Sequence, residues 1–126
     1  MCKLIQYKLS SGKTVQVADI KSDYIGNIEK NASACDDIIR IVIFGSSIGD
    51  HCTDSSDIDV AIFGGMTPGK YSRSAKYKKF RNAIYTYRME DGMQDYDILY
   101  FNAEKPGNSA ILRDIRKGEV IYERAR

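Results

Sequence analysis

The stretch from Ile38 to Phe63, IIRIVIFGSSIGDHCTDSSDIDVAIF, constrains this chain more than any other. An apolar run, Ile38 to Phe44, stops at Gly45-Ser46. A connection of ten residues, rich in small and polar types, follows, and Asp57-Ile58-Asp59 then opens a second apolar run, Val60 to Phe63. Short apolar runs bounded by Gly, Ser and Asp read as strands joined by a loop. Side chains alternate along a strand, so Asp57 and Asp59 share a face and Ile58 points into the core. Their Cα atoms would lie roughly 6.5 Å apart, at about 3.3 Å per residue. Carboxylates at that spacing suit hard, oxygen-seeking cations such as Mg²⁺. Two such ions about 3.5–4 Å apart can clamp the attacking and leaving oxygens of an in-line phosphoryl displacement. Gly45 lets backbone approach a phosphate closely. Ser46 adds a hydroxyl, and a helix starting just after it would aim free N–H groups at the anion.

A lone Asp-x-Asp is usually a solvated strand end and a lone Gly-Ser usually a turn; their combination between two apolar strands is much more specific. The pattern Gly45-Ser46, ten residues, then Asp57-Ile58-Asp59 preceded by Ser56 resembles the signature of the DNA polymerase beta superfamily of nucleotidyltransferases. The short chain is similar to its minimal nucleotidyltransferases, the antitoxin-type MNT proteins. The resemblance covers about residues 36–123. It implies a mixed α/β fold, two Mg²⁺ ions, transfer of a nucleoside monophosphate from an NTP, and a third acid on a later strand. One departure stands out. Many minimal members carry Ala-Arg-Gly soon after the Gly-Ser, where this chain has Ile48-Gly49-Asp50. The missing cation bears on substrate and partner more than on the metal ligands.

Composition agrees with a small globular enzyme. The 126 residues read as a single domain, enough to bury about two-thirds of the unfolded surface. A net charge of +2 gives no bulk argument for nucleic acid as a direct partner. No run approaches the roughly 20 apolar residues of a membrane span, and residues 1–10 are too polar for a signal peptide. Cys2, Cys35 and Cys52 are odd in number and lack metal spacing. They read as unpaired thiols in a reducing cytoplasm, with Cys35 a buried filler and Cys52 incidental to its loop. His51, the one histidine, reads as a solvated loop residue.

Elsewhere the pattern predicts a hairpin over 3–9 and 13–18 about Ser10-Ser11-Gly12. A helix is expected over 19–35, capped by Asp19, with Ile20, Tyr24 and Ile28 inward. Residues 64–69 read as a loop. The longest helix is predicted over 70–90, with Tyr77, Phe80, Ile84 and Tyr87 on one face and Gly92 as its terminator. Arg73 falls on that stripe and is a candidate for the NTP phosphates; the plainer reading is a snorkelling arginine. The helix is basic, most simply as a solvated face. A strand over 94–101 supplies the third acid, Asp97, with Asp95 as the alternative. A last helix over 110–117, capped by Asn108 or Ser109, precedes a terminal strand from Glu119.

The expected fold is α/β (α+β): a mixed sheet packed by helices, with an N-terminal hairpin (1–18). In the expected reaction Asp57 and Asp59 hold two Mg²⁺, Asp97 completes the site as ligand or general base, and Gly45, Ser46 and Ser56 hold the triphosphate. ATP is the expected NTP. The MNT resemblance implies a hydroxyl on a HEPN-domain toxin as acceptor. Two alternatives stand beside it: a contact-only antitoxin without turnover, and an aminoglycoside-type small-molecule nucleotidyltransferase with a pocket completed by homodimerisation.

Overall fold

A computed structural model describes residues 2–88 and 94–124. Strands β1 (Leu4–Lys8) and β2 (Thr14–Ala18) form an antiparallel hairpin. A four-stranded mixed sheet follows, built from β3 (Ile38–Phe44), β4 (Ile58–Gly64), β5 (Tyr96–Asn102) and β6 (Glu119–Glu123). Its order is β5-β4-β3-β6, with β4 and β5 parallel and the other neighbours antiparallel. This is an α+β arrangement, a mixed sheet packed by helices with an N-terminal hairpin, as the sequence led one to expect.

Period-two alternation divides the sheet into two faces. Ile41, Ile43, Ile58, Val60, Ile62, Tyr96 and Tyr100 face a core shared with α1 (Ser22–Ala32), α3 (Ala75–Tyr85) and the hairpin. Val42, Phe44, Ala61 and Phe63 face the other way, under Leu112 and Ile115 of α4 (Ile111–Arg116). Burying β4 on both sides explains why its central residues form a continuous apolar run.

Several local expectations are corrected. The first helix does not run from Asp19. A 3-10 turn (Asp19–Lys21) precedes α1, and the Asp19 carboxylate accepts from Lys3 N and Ile20 N instead of capping. The buried stripe is Ile25, Ile28, Glu29 and Ala32, with Lys21 in line ahead of it, so Ile20 and Tyr24 lie at its margin. Gly26 sits under Tyr7 of the hairpin, whose hydroxyl occupies the space a Cβ would need. Buried Glu29 accepts from Ser10 N and Ser10 Oγ, tying the hairpin turn to α1.

The predicted 70–90 helix is two helices. Thr67 and Pro68 start α2 (Pro68–Tyr71) early, and the Ser74 side chain starts α3 afresh by accepting from Tyr77 N. Tyr77, Phe80 and Ile84 are buried on one face, as predicted. Tyr87 lies beyond α3 and meets Tyr24 edge-on. The predicted terminator Gly92 lies outside the described residues. Neither Asn108 nor Ser109 caps α4 by its side chain; the N-cap is Ala110.

The reading of the cysteines as unpaired is also corrected. Cys2 and Cys52 form a disulfide across 50 residues, with Cα atoms 6.0 Å apart, and only Cys35 is free and buried. Asp19 holds the chain at Lys3, which brings the N-terminus beside the 45–57 connection.

Candidate active site

The acids meet where β3 ends and β4 and β5 begin. Register pairs Asp59 with Asp97 on adjacent parallel strands and Phe44 with Asp59 on the antiparallel side. Asp59 and Asp97 alternate with Ala61 and Leu99, so they share the sheet face that α4 covers farther along. Asp57 lies just before β4, on the same side by alternation. Asp95 precedes β5, and its carbonyl accepts from Ile58 N at 3.0 Å. Asp97, not Asp95, is therefore the register neighbour of Asp59.

Gly45 belongs to the same place. Its φ is +74°, and a Cβ there would run into the Asp59 carboxylate. Both restrictions exclude ordinary side chains, so the glycine lets the end of β3 lie directly against the acid. The expected helix after Ser46 is only a 3-10 turn, Gly45–Ile48, because Gly49 N closes onto Ser46 O at 3.0 Å and the chain then turns extended. Ser46 is half-exposed beside Gly45. Ser56 folds its own loop: its Oγ accepts from Thr53 N at 2.9 Å.

Asp57 and Asp97 are exposed and Asp59 is half-buried. Among the described residues no donor is hydrogen-bonded to any of these three carboxylates. Burial, then the charges of Asp97 and Asp57, raise the Asp59 carboxyl above its ordinary range. Among the described residues no three ligand side chains converge as a formed metal-binding group. The donor set nonetheless fits a hard divalent cation: three carboxylates near one sheet edge, with no hydrogen-bond donor on them among the described residues.

Asp59 and Asp97 open into a cleft of about 380 Å³, whose lining takes in Gly45 but not Asp57, Ser46 or Ser56. Phe44, Gly45 and Ile48 form one side and Leu99 part of the lining; Ile111 and Asp114 of α4, with Lys117 just after it, form another. Asp114 and Lys117 were not anticipated. Their spacing with Ile111, three residues apart each time, is one helical face, and that signal was present in the chain.

Arg73 is not brought to this cleft. It lies exposed between α2 and α3. Tyr71, two residues earlier, stacks on Tyr100 with ring centroids 4.3 Å apart, at the far end of β5 and on the opposite sheet face. His51 is solvated, its side chain 91% exposed, beside Asp50. Behind the acids, Lys21 is 1% exposed and donates to Ser56 O at 2.7 Å and Gln94 Oε1 at 2.6 Å. Its spacing from Ile25, Ile28 and Ala32, which puts it in line with the inner stripe of α1, was present in the chain.

A family model described as polymerase beta nucleotidyltransferase matches residues 26–126. The chain belongs to that family. The match takes in every strand of the four-stranded sheet, the Gly45-Ser46 turn and all three acids. Membership carries nucleotidyl transfer from a nucleoside triphosphate, chemistry for which these enzymes usually use divalent metal ions. A search for similar curated proteins found none. Among the described residues no helix is long and apolar enough to cross a membrane.

Proposed function

We propose that this nucleotidyltransferase moves a nucleoside monophosphate, with ATP as donor, onto a hydroxyl of a partner protein, and that it acts as an MNT-type antitoxin on a HEPN-domain toxin. The observation that carries the reading is the register of Asp59 beside Asp97 with Gly45 against Asp59. It brings the two halves of the motif and the third acid to one point on the sheet edge.

In the proposed reaction the acceptor oxygen bonds to the α-phosphorus and the bond from that phosphorus to the bridging oxygen breaks. Acceptor–O–NMP, pyrophosphate and a proton result. Asp57, Asp59 and Asp97 would hold two Mg²⁺, which supply Lewis acidity and offset the triphosphate charge. Asp97, exposed at the strand start, would take the hydroxyl proton. Gly45 and Ser46 offer backbone N–H groups and a hydroxyl to the β,γ-phosphates. Ser56 shapes the loop ahead of Asp57. An NTP donor implies a cytoplasmic setting, where the Cys2–Cys52 bond faces thiol reductants.

Thermal unfolding with Mg²⁺ and each NTP in turn tests this. A nucleotide at a hundred times its Kd adds about 2.7 kcal/mol, or about 10 °C at this size. A Mg²⁺-dependent rise with ATP, lost in Asp57→Asn, is the expected result. No rise with any NTP would sink the catalytic reading and leave a contact-only antitoxin.

A further inference from the structure

Asp59 and Asp97 sit inside strands, where the ladder holds their backbone. Asp57 precedes β4 and has no such support from the sheet. What fixes it comes from a segment distant in sequence. The Lys21 ammonium, buried on the inner face of the 3-10 turn before α1, donates to Ser56 O at 2.7 Å, Gln94 Oε1 at 2.6 Å and Asp54 O at 3.4 Å. Gln94 Nε2 donates in turn to Ser56 O at 2.9 Å and Asp95 O at 2.7 Å. Asp95 O also accepts from Ile58 N. The peptide groups on both sides of Asp57 are thus held, and the same network holds the chain two residues before Asp97.

We propose that Lys21, acting through Ser56 and Gln94, is the positioning residue that presets Asp57 against Asp59 and Asp97 for a divalent cation. The proposal rests on reading those three carboxylates as cation ligands. Burying an ammonium is costly without acceptors. Its three N–H donors are matched here by three oxygens, all belonging to the two acid-bearing segments. A purely space-filling role would be met as well by an apolar side chain.

The test is Mn²⁺ binding to metal-free protein by electron paramagnetic resonance, with a melting curve for each variant. Lys21→Met is expected to weaken Mn²⁺ binding about tenfold, the usual scale for groups that orient metal ligands. The direction is decisive, because removing a nearby positive charge would by itself strengthen cation binding. Gln94→Met, which cuts the same network and keeps the lysine, is expected to weaken it too. Folded Lys21→Met binding Mn²⁺ as well as wild type, or tighter, would overturn the positioning role and leave the cation site standing. Wild type that binds no Mn²⁺ would overturn both. Should Lys21→Met fail to fold, Gln94→Met decides by the same comparison.

Discussion

At one end of the central sheet Asp37 accepts from Tyr77 Oη and Tyr100 Oη, both at 2.8 Å, and from Gly65 N at 2.9 Å. At the other end Asp57, Asp59 and Asp97 accept from no donor among the described residues. Asp37 is a carboxylate used as a structural acceptor: three donors fit it, and the two tyrosines tie α3 and β5 to it. Burial and the bond to Asp37 push the Tyr100 hydroxyl up to about 12, so it stays a donor at any physiological pH. The three acids at the opposite end repel one another with no donor among the described residues to compensate. A divalent cation, which enzymes of this family usually use, would relieve that repulsion.

The sharpest way to break the comparison is to remove an acid from each end. Asp59→Asn is expected to abolish nucleotidyl transfer, because it takes a ligand from the centre of the cluster. In metal-free buffer it should nevertheless raise the melting temperature at pH 7. The Asp59 carboxyl has a raised pKa in the folded state. Its contribution to stability is therefore complete below its unfolded-state value, about 4, and is lost as pH rises through the raised folded-state value. At neutral pH the ionised group opposes folding, so the gain from asparagine should shrink as the buffer is acidified. A melting temperature that falls at pH 7 would show that Asp59 has a structural partner after all.

Asp37→Ala should do the reverse. It leaves two tyrosine hydroxyls and an N–H without their acceptor, a loss of about 3 kcal/mol. Mn²⁺ affinity should stay at the wild-type value once the folded fraction is accounted for. A change in that affinity would mean the two ends are coupled. The smallest effect belongs to Arg73→Ala. With Arg73 exposed at the Tyr100 end of the sheet, nucleotide affinity is expected to be unchanged. A weaker Kd in a calorimetric titration would bring that arginine back toward the phosphates.

The parts of the site readable along the chain are those set by neighbours in sequence. Alternation in β4 decides that Asp57 and Asp59 share a side and that Ile58 is buried, because the pleat repeats every two residues. Two apolar runs with a small-residue turn and an acid pair between them restrict the chain to a strand–loop–strand unit, and Gly45 marks the turn because only glycine takes its φ without strain. Helical spacing likewise picked out Tyr77, Phe80 and Ile84.

What the chain could not decide by itself depends on register and on contacts between distant segments. Asp97 stands beside Asp59, and Asp95 does not, because β5 pairs in parallel with β4 in one register; a slip of one residue would turn Asp97 to the other face. Arg73 fell out of the helical stripe because Ser74 restarts the helix, and its distance from the acids follows from how α2 packs on Tyr100. The Cys2–Cys52 bond, the approach of Asp114 and Lys117 to the cleft, and the network from Lys21 to Gln94 each join residues that no local period relates. Local sequence sets which way a side chain points from its own element. Only the packing of elements, driven by burying both faces of the sheet, sets what that side chain meets.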